Sequence, residues 1–311
     1  MNIPRKLYFL VAVVAGATWG THGTFARLMG QYGISDNVIS VLCPLFCGLF
    51  FLVLLWKDNI RKIIFSLKFI PVLVFYGLSS ALFNYSTIQA YWHMPVGIVH
   101  TVVFCNLFLL MPLSRLFFKE PMSWNKIVSA CVAVVGIAMA LNIFAADVKL
   151  SFTGVVWTLL AMVGWTALVM FEKYLLVKEF DGNVMLVLSS FFATVFLSFF
   201  APPGQVVSEI VLAVKISHGI VLLPLAGFAF ITTALSYYCY LIALKRMEPA
   251  IVQLGYISDP LTALILGFFI FDQSLLPVQI IGVLLIISVV VWIQWLEVKA
   301  ERAAASTTQT E

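Results

Sequence analysis

Charge is scarce in this sequence. Asp, Glu, Lys and Arg make up 10% of its 311 residues, while 62% are hydrophobic. Soluble domains carry about 25% charged residues, so an ordinary soluble fold is excluded by composition. The patterns of soluble enzymes are missing too. There is no phosphate-cradling glycine loop, no nucleophile elbow and no HExxH pair. Neither a cofactor nor an enzymatic activity is expected. The five cysteines (Cys43, Cys47, Cys105, Cys131 and Cys239) all lie in apolar stretches without metal-like spacing. Cys43 and Cys47, one helical turn apart, read as packing residues. The net charge of +4 is spread over connections between apolar runs, which argues against a nucleic-acid partner.

Long apolar runs dominate what is present, and the mean hydropathy is +1.06. Stretches of about 20 apolar residues predict membrane-spanning helices, with the lipid bilayer as partner. Ten spans are expected. The first five run approximately Leu7–Leu28, Val38–Trp56, Phe69–Trp92, Pro95–Phe118 and Trp124–Ala145. The second five are Gly154–Phe171, Val184–Phe200, Gly219–Leu244, Pro249–Phe271 and Pro277–Leu296. Arg5 and Lys6 before the first run imitate a signal peptide, but the run outlasts a short h-region and no cleavage site follows. It reads as a retained helix.

The basic residues orient these spans. With an inside N-terminus, Arg27, Lys149 and Lys215 fall outside, and the other fifteen of eighteen Lys and Arg fall inside. This asymmetry places both termini in the cytoplasm.

The two halves resemble each other. At an offset of 153, Ala81, Leu82, Tyr85, Ala90 and Met94 fall on Ala234, Leu235, Tyr238, Ala243 and Met247. The same register pairs His100 with Gln253 and Asn106 with Asp259. Trp19 and Phe25 fall on Trp165 and Phe171 at a slightly shorter offset. The expected organisation is therefore a first repeat over 1–146, a second over 147–297, and a polar cytoplasmic tail over 298–311. Five spans per repeat is an odd number, so the halves must enter the membrane from opposite sides. Inverted repeats are characteristic of secondary transporters with a site at the midplane.

Polar residues inside the spans mark that site. A charge at the bilayer centre costs about 2.5–3.5 kcal/mol on insertion scales, so Asp259 needs protein or water around it. Gln253, Tyr256 and Asp259 form a strip on the ninth span, and Pro260 removes a backbone donor beside them. Asp259 either faces a hydrated cavity, holding a substrate amine or a coupled proton, or is a structural acid bonded to a neighbouring tyrosine or amide. Asn106 occupies the equivalent place on the fourth span. Trp19 and His22 share a face of the first span, where Ala12, Gly16 and Gly20 recur every four residues and permit close helix approach. Asn84 and Tyr85 on the third span, Trp165 on the sixth and Tyr238 on the eighth complete the expected lining, each with ordinary packing as the alternative. Tyr91, Trp92 and His93 read as outer interfacial anchors, and Trp56, Trp124 and Trp295 as inner ones.

These features together resemble the drug/metabolite transporter superfamily, specifically its ten-helix EamA-type members, from about residue 7 to 297. The likeness is carried by WGTHGTFARL from Trp19, ALFNYSTIQAYWHMPVGIV from Ala81, and the closing half from ALSYYCYLIALKRMEPAIVQLGYISDPL onward. The connections KEPMS and FDQSL resemble the family's glycine-glutamate turns. The resemblance implies inverted five-helix repeats around a central cavity, alternating access, and a small-molecule substrate. Characterised members carry amino acids and other small metabolites, often outward across a bacterial inner membrane. Two departures stand out: Asp259-Pro260 where many members have Glu-Pro, and Asn106-Leu107 where a proline often follows the centre of the fourth helix. Export of an amino acid or derivative is the leading expectation. The alternatives are import of a nucleotide-like or quaternary-amine compound, a membrane enzyme, or a partner subunit.

Overall fold

The computed structural model describes residues 5–58, 68–93, 99, 102–120, 123–140, 151–271 and 276–308. Several expected features lie outside the described residues. These are Met94, the start at Pro95, His100, Arg61, Lys62, Lys149, the end of the fifth span at 141–145, and parts of both short connections at 121–122 and 272–275.

Every regular element among the described residues is helical. The first half comprises α1 (Arg5–Trp19), α2 (His22–Gly30), α3 (Asp36–Asp58), α4 (Ile70–His93), α5 (Leu107–Phe118) and α6 (Trp124–Ala140). The second comprises α7 (Phe152–Val177), α8 (Gly182–Leu197), α9 (Pro203–Ile216), α10 (Leu222–Gly227), a π-helical stretch (Phe228–Leu235), α11 (Ser236–Leu244), α12 (Pro249–Gly255), α13 (Ser258–Phe271) and α14 (Pro277–Thr308). Among the described residues, four continuous stretches are long and apolar enough to cross a membrane alone: Lys6–Gly30, Asp36–Trp56, Phe152–Val177 and Leu222–Leu244. Shorter apolar helices occupy the fourth, fifth, seventh and tenth expected spans. The third span is polar for its length, carrying Ser79, Ser80, Asn84, Ser86, Thr87 and Gln89.

Three elements add detail to the expected spans. The first span is interrupted at Gly20-Thr21, where the Thr21 hydroxyl donates back to the Thr18 carbonyl at 2.7 Å. The segment after the seventh span is a helix, α9, with Pro203 in its first turn. The polar tail continues α14 as helix to Thr308, as its run of Ala, Glu, Arg and Lys favours.

The principal helix pairings join the halves. The third span packs on the sixth and the first on the eighth; the second meets the seventh and the fifth meets the tenth. Exchanging first-half spans for second-half spans leaves this set unchanged. Large apolar side chains such as Val53, Phe75, Phe117, Phe199 and Phe269 cover the outside. So extensive an exposed apolar surface is tolerable only against lipid. The chain is an all-α polytopic membrane protein.

Candidate functional site

The broken ninth span organises the centre of the bundle. A non-proline residue at 260 would donate to the carbonyl of Tyr256, and Pro260 cannot. The helix accordingly interrupts at Tyr256-Ile257, and the Asp259 amide donates to the Tyr256 carbonyl instead at 3.0 Å. The first span lies directly against this break. A Cβ on Gly16 would sit 2.7 Å from the Tyr256 carbonyl oxygen, and one on Gly20 would sit 2.4 Å from that of Asp259. Ala12 fills the matching space above Gly255. Hydroxyls tie the seam: Ser258 donates to the Val13 carbonyl at 2.6 Å, and Ser236 to that of Ala15 at 2.8 Å. The small-residue stripe read from the sequence is thus the surface that seats the broken helix.

Beside the break is a cavity of about 40 Å³. It is lined by Trp19, His22, Phe83, Asn84, Thr87, Tyr91, Val99, Val103, Phe104, Trp165, Gln253, Tyr256 and Asp259. Seven of the ten residues expected from the sequence meet here: Trp19, His22, Asn84, Trp165, Gln253, Tyr256 and Asp259. They come from both halves of the chain. Room for a buried water begins at roughly 10–15 Å³, so this space holds a few waters and no metabolite.

Aromatic packing accounts for the small volume. Trp19 stacks on His22 with centroids 5.3 Å apart, and His22 leans on Phe228 at 5.1 Å. Trp165 contacts Phe83 at 4.8 Å and Tyr256 at 5.8 Å, while Tyr256 meets Tyr240 edge-on at 5.4 Å. Polar groups in this cluster are fixed by bonds across helices. The indole of Trp165 donates to Gln253 Oε1 at 3.1 Å, and the Tyr256 and Ser236 hydroxyls share a bond of 2.9 Å.

Three expected residues lie elsewhere. Tyr85 stacks on Phe200 at 4.3 Å and meets Trp157 edge-on. Tyr238 is 43% exposed on the lipid-facing surface. Asn106 is fully buried where the fourth span interrupts at Cys105-Asn106, and neither amide atom has a hydrogen-bond partner among the described residues. That span therefore breaks without a proline at the position. Conversely, Tyr91 is no simple interfacial anchor. It lines the cavity and also a larger hollow of about 760 Å³ beside Arg27, Gln31 and Asp36. Phe83, Thr87 and Tyr91 repeat every four residues on α4, a spacing that links them to the Asn84 face.

The opposite end, rich in basic residues, carries charge pairs that join the halves. Lys126 binds Glu248, and Lys173 lies 3.5 Å from Glu120 while donating to the Met247 carbonyl at 3.0 Å. Burial raises the Glu120 carboxyl above the usual carboxylate range, with the Lys173 ammonium working against it.

A two-halved helical bundle enclosing a mixed polar and aromatic cavity defines a membrane transporter architecture. Comparison with known proteins agrees: the model of the EamA-like transporter family matches residues 6–142 and again 152–295, and the chain belongs to that family. It is 25% identical over 209 residues to Protein PecM of Dickeya dadantii, covering 66% of this chain and 67% of that one. It is 22% identical over 293 residues to an uncharacterized transporter of Clostridium kluyveri, covering 91% of each. One crystal structure superposes with a TM-score of 0.73 at 15% identity, over 94% of this chain and 98% of the other.

Proposed function

We propose that the protein is a secondary transporter that moves a small amine-bearing metabolite, an amino acid or derivative, by alternating access around the central cavity. The observation that carries this reading is the composition of that cavity. Asp259 supplies an acid, while Asn84, Thr87 and Gln253 supply neutral polar groups between aromatic faces contributed by both halves. Among the described lining residues there is no lysine or arginine. A positive nitrogen suits such a lining, by ion pairing with Asp259 and by cation–π contact with the indoles. A nucleotide-like anion does not. Ligand sites commonly occupy about 300–1,000 Å³, so loading a solute into this site requires the aromatic cluster to part. The charge pairs at the basic end and the hollow beside Tyr91 at the other fit a state closed toward the cytoplasm. The charge asymmetry supports cytoplasmic termini, and the family resemblance supports a bacterial inner membrane. Transport involves no chemical change, and no enzymatic role is assigned.

The test is reconstitution in liposomes with labelled amino acids and their decarboxylated and esterified derivatives. Wild-type protein should move at least one of them unchanged, and Asp259→Asn should abolish that flux while leaving yield and elution profile intact. Unaltered flux in Asp259→Asn removes the acid from the site, and chemical conversion of the solute overturns the transporter reading.

A further inference from the structure

A second membrane-embedded acid lies outside the cavity. Glu172 belongs to α7, two turns from Trp165 toward the basic end, and is 1% exposed. One carboxyl oxygen accepts a hydrogen bond from the Tyr76 hydroxyl of α4, and the other is buried with no hydrogen-bond partner among the described residues. Among the described residues, its charge is felt at Cys47 of α3, Tyr76 of α4, Tyr237 and Tyr240 of α11, and Tyr256 at the break of the ninth span. No cation is among them. The next residue, Lys173, is committed to Glu120 and the Met247 carbonyl. A carboxylate anion sealed in this place would retain one hydrogen bond and no counter-charge among the described residues, which burial strongly disfavours.

We propose that Glu172 is a proton-binding site, occupied in this closed arrangement and reached from the basic end when the Lys173 clasp opens. The binding step is simple in its balance. The proton resides on the carboxyl oxygen that has no partner, and on opening it passes to a water molecule at the basic end. The carboxylate left behind keeps the Tyr76 hydroxyl as its donor. Reclosure then requires a proton to return, because the charged form cannot be sealed without cost. Tyr240 and Tyr256 feel the charge of this acid and pack on Trp165, which with Tyr256 lines the cavity, so the proton and the solute occupy separate places and meet through the same aromatic cluster. This coupling role rests on the transporter reading above; the protonation itself does not.

Infrared spectroscopy of the reconstituted protein at neutral pH tests the protonation. Wild type should show a protonated-carboxyl C=O band that shifts in deuterated water. That band should be lost in Glu172→Gln and persist in Asp259→Asn. Should Glu172→Gln fail to fold, Tyr76→Phe removes the sole donor to the carboxyl and should shift the same band. No such band in wild type, its survival in Glu172→Gln, or its indifference to Tyr76→Phe overturns the site. The coupling is read in liposomes carrying a pH-sensitive dye and labelled amino acids. Glu172→Gln should lose pH-driven accumulation while retaining solute-for-solute exchange, and accumulation at the wild-type level overturns the coupling role. A wild type that moves none of these solutes defeats the transport reading, while the infrared band still decides whether Glu172 holds a proton.

Discussion

The Trp165 indole N–H donates to Gln253 Oε1 across 3.1 Å, joining the sixth span to the ninth within the aromatic cluster. Both residues are nearly fully buried, so a partner left behind can turn only to the small cavity beside it. Trp165→Phe should therefore cost about 1–3 kcal/mol through the stranded amide, beyond the packing lost with the smaller ring. Gln253→Leu should cost a similar amount through the stranded indole. The double variant should be less destabilised than the sum of the singles, which unfolding of the detergent-solubilised protein can measure. Strict additivity would show that the bond carries no energy.

The close approach of the first span to the broken ninth gives a sharper contrast. Gly16→Ala and Gly20→Ala each force a methyl against a backbone carbonyl, at 2.7 Å and 2.4 Å. Overpacking of this kind costs about 1–3 kcal/mol. Gly23, on the same span, has nothing within 4 Å of its added Cβ. Gly23→Ala should stabilise by roughly 0.5–1 kcal/mol, the usual gain of alanine over glycine inside a helix. Equal unfolding midpoints for the three variants would falsify the assignment of this seam.

These two relationships also show what the sequence could reveal. The break in the ninth span was legible because proline has one unavoidable consequence, a missing donor to the carbonyl four residues back. The Ala12, Gly16 and Gly20 stripe was legible because helical periodicity puts it on one face. Tyr91 was not, because its place at the end of an apolar run suits an interfacial anchor as well as a cavity wall; only the packing of neighbouring helices decides. Glu172 was hidden for a similar reason. It precedes Lys173 at the inner edge of an expected span ending at Phe171, where a charged pair looks solvated, whereas α7 continues to Val177 and turns the acid inward. Tyr238 shows the converse. The repeat register matched it to Tyr85, yet a shared register fixes neither the rotation of a helix nor its neighbours.

Glu209 provides a pH-dependent test away from the bilayer. Burial of its carboxyl is outweighed by hydrogen bonds from Gln205 Nε2 at 2.8 Å, the Ser35 amide at 2.7 Å and the Ser35 hydroxyl at 3.0 Å, so its pKa lies below the ordinary carboxylate range. Lowered in the fold, the group contributes stability that is fully present above the unfolded-state value and is lost as pH falls through the folded one. It also places negative charge at the N-terminus of α3, where the helix dipole favours it. Glu209→Gln should lower the unfolding midpoint at neutral pH, and the gap from wild type should close on acidification. A gap that stays constant with pH would mean that charge is not involved.

The charge pairs at the basic end make the last prediction. Lys126–Glu248 and Lys173–Glu120 each join one half of the chain to the other, with side chains between 12% and 22% exposed. Opening that end means breaking both. Pairs that keep some solvent contact contribute about 0.2–1 kcal/mol each, so losing one should raise the open population by up to roughly fivefold. Cys47 reports on this opening, since it is buried and lies near enough to Glu172 to interact with it. In a background with Cys43, Cys105, Cys131 and Cys239 changed to serine, Lys173→Met or Glu248→Gln should speed maleimide labelling of Cys47 several-fold. Combining one loss from each pair should speed it further. Labelling that stays at the background rate in all three variants would show that the pairs do not hold this end shut.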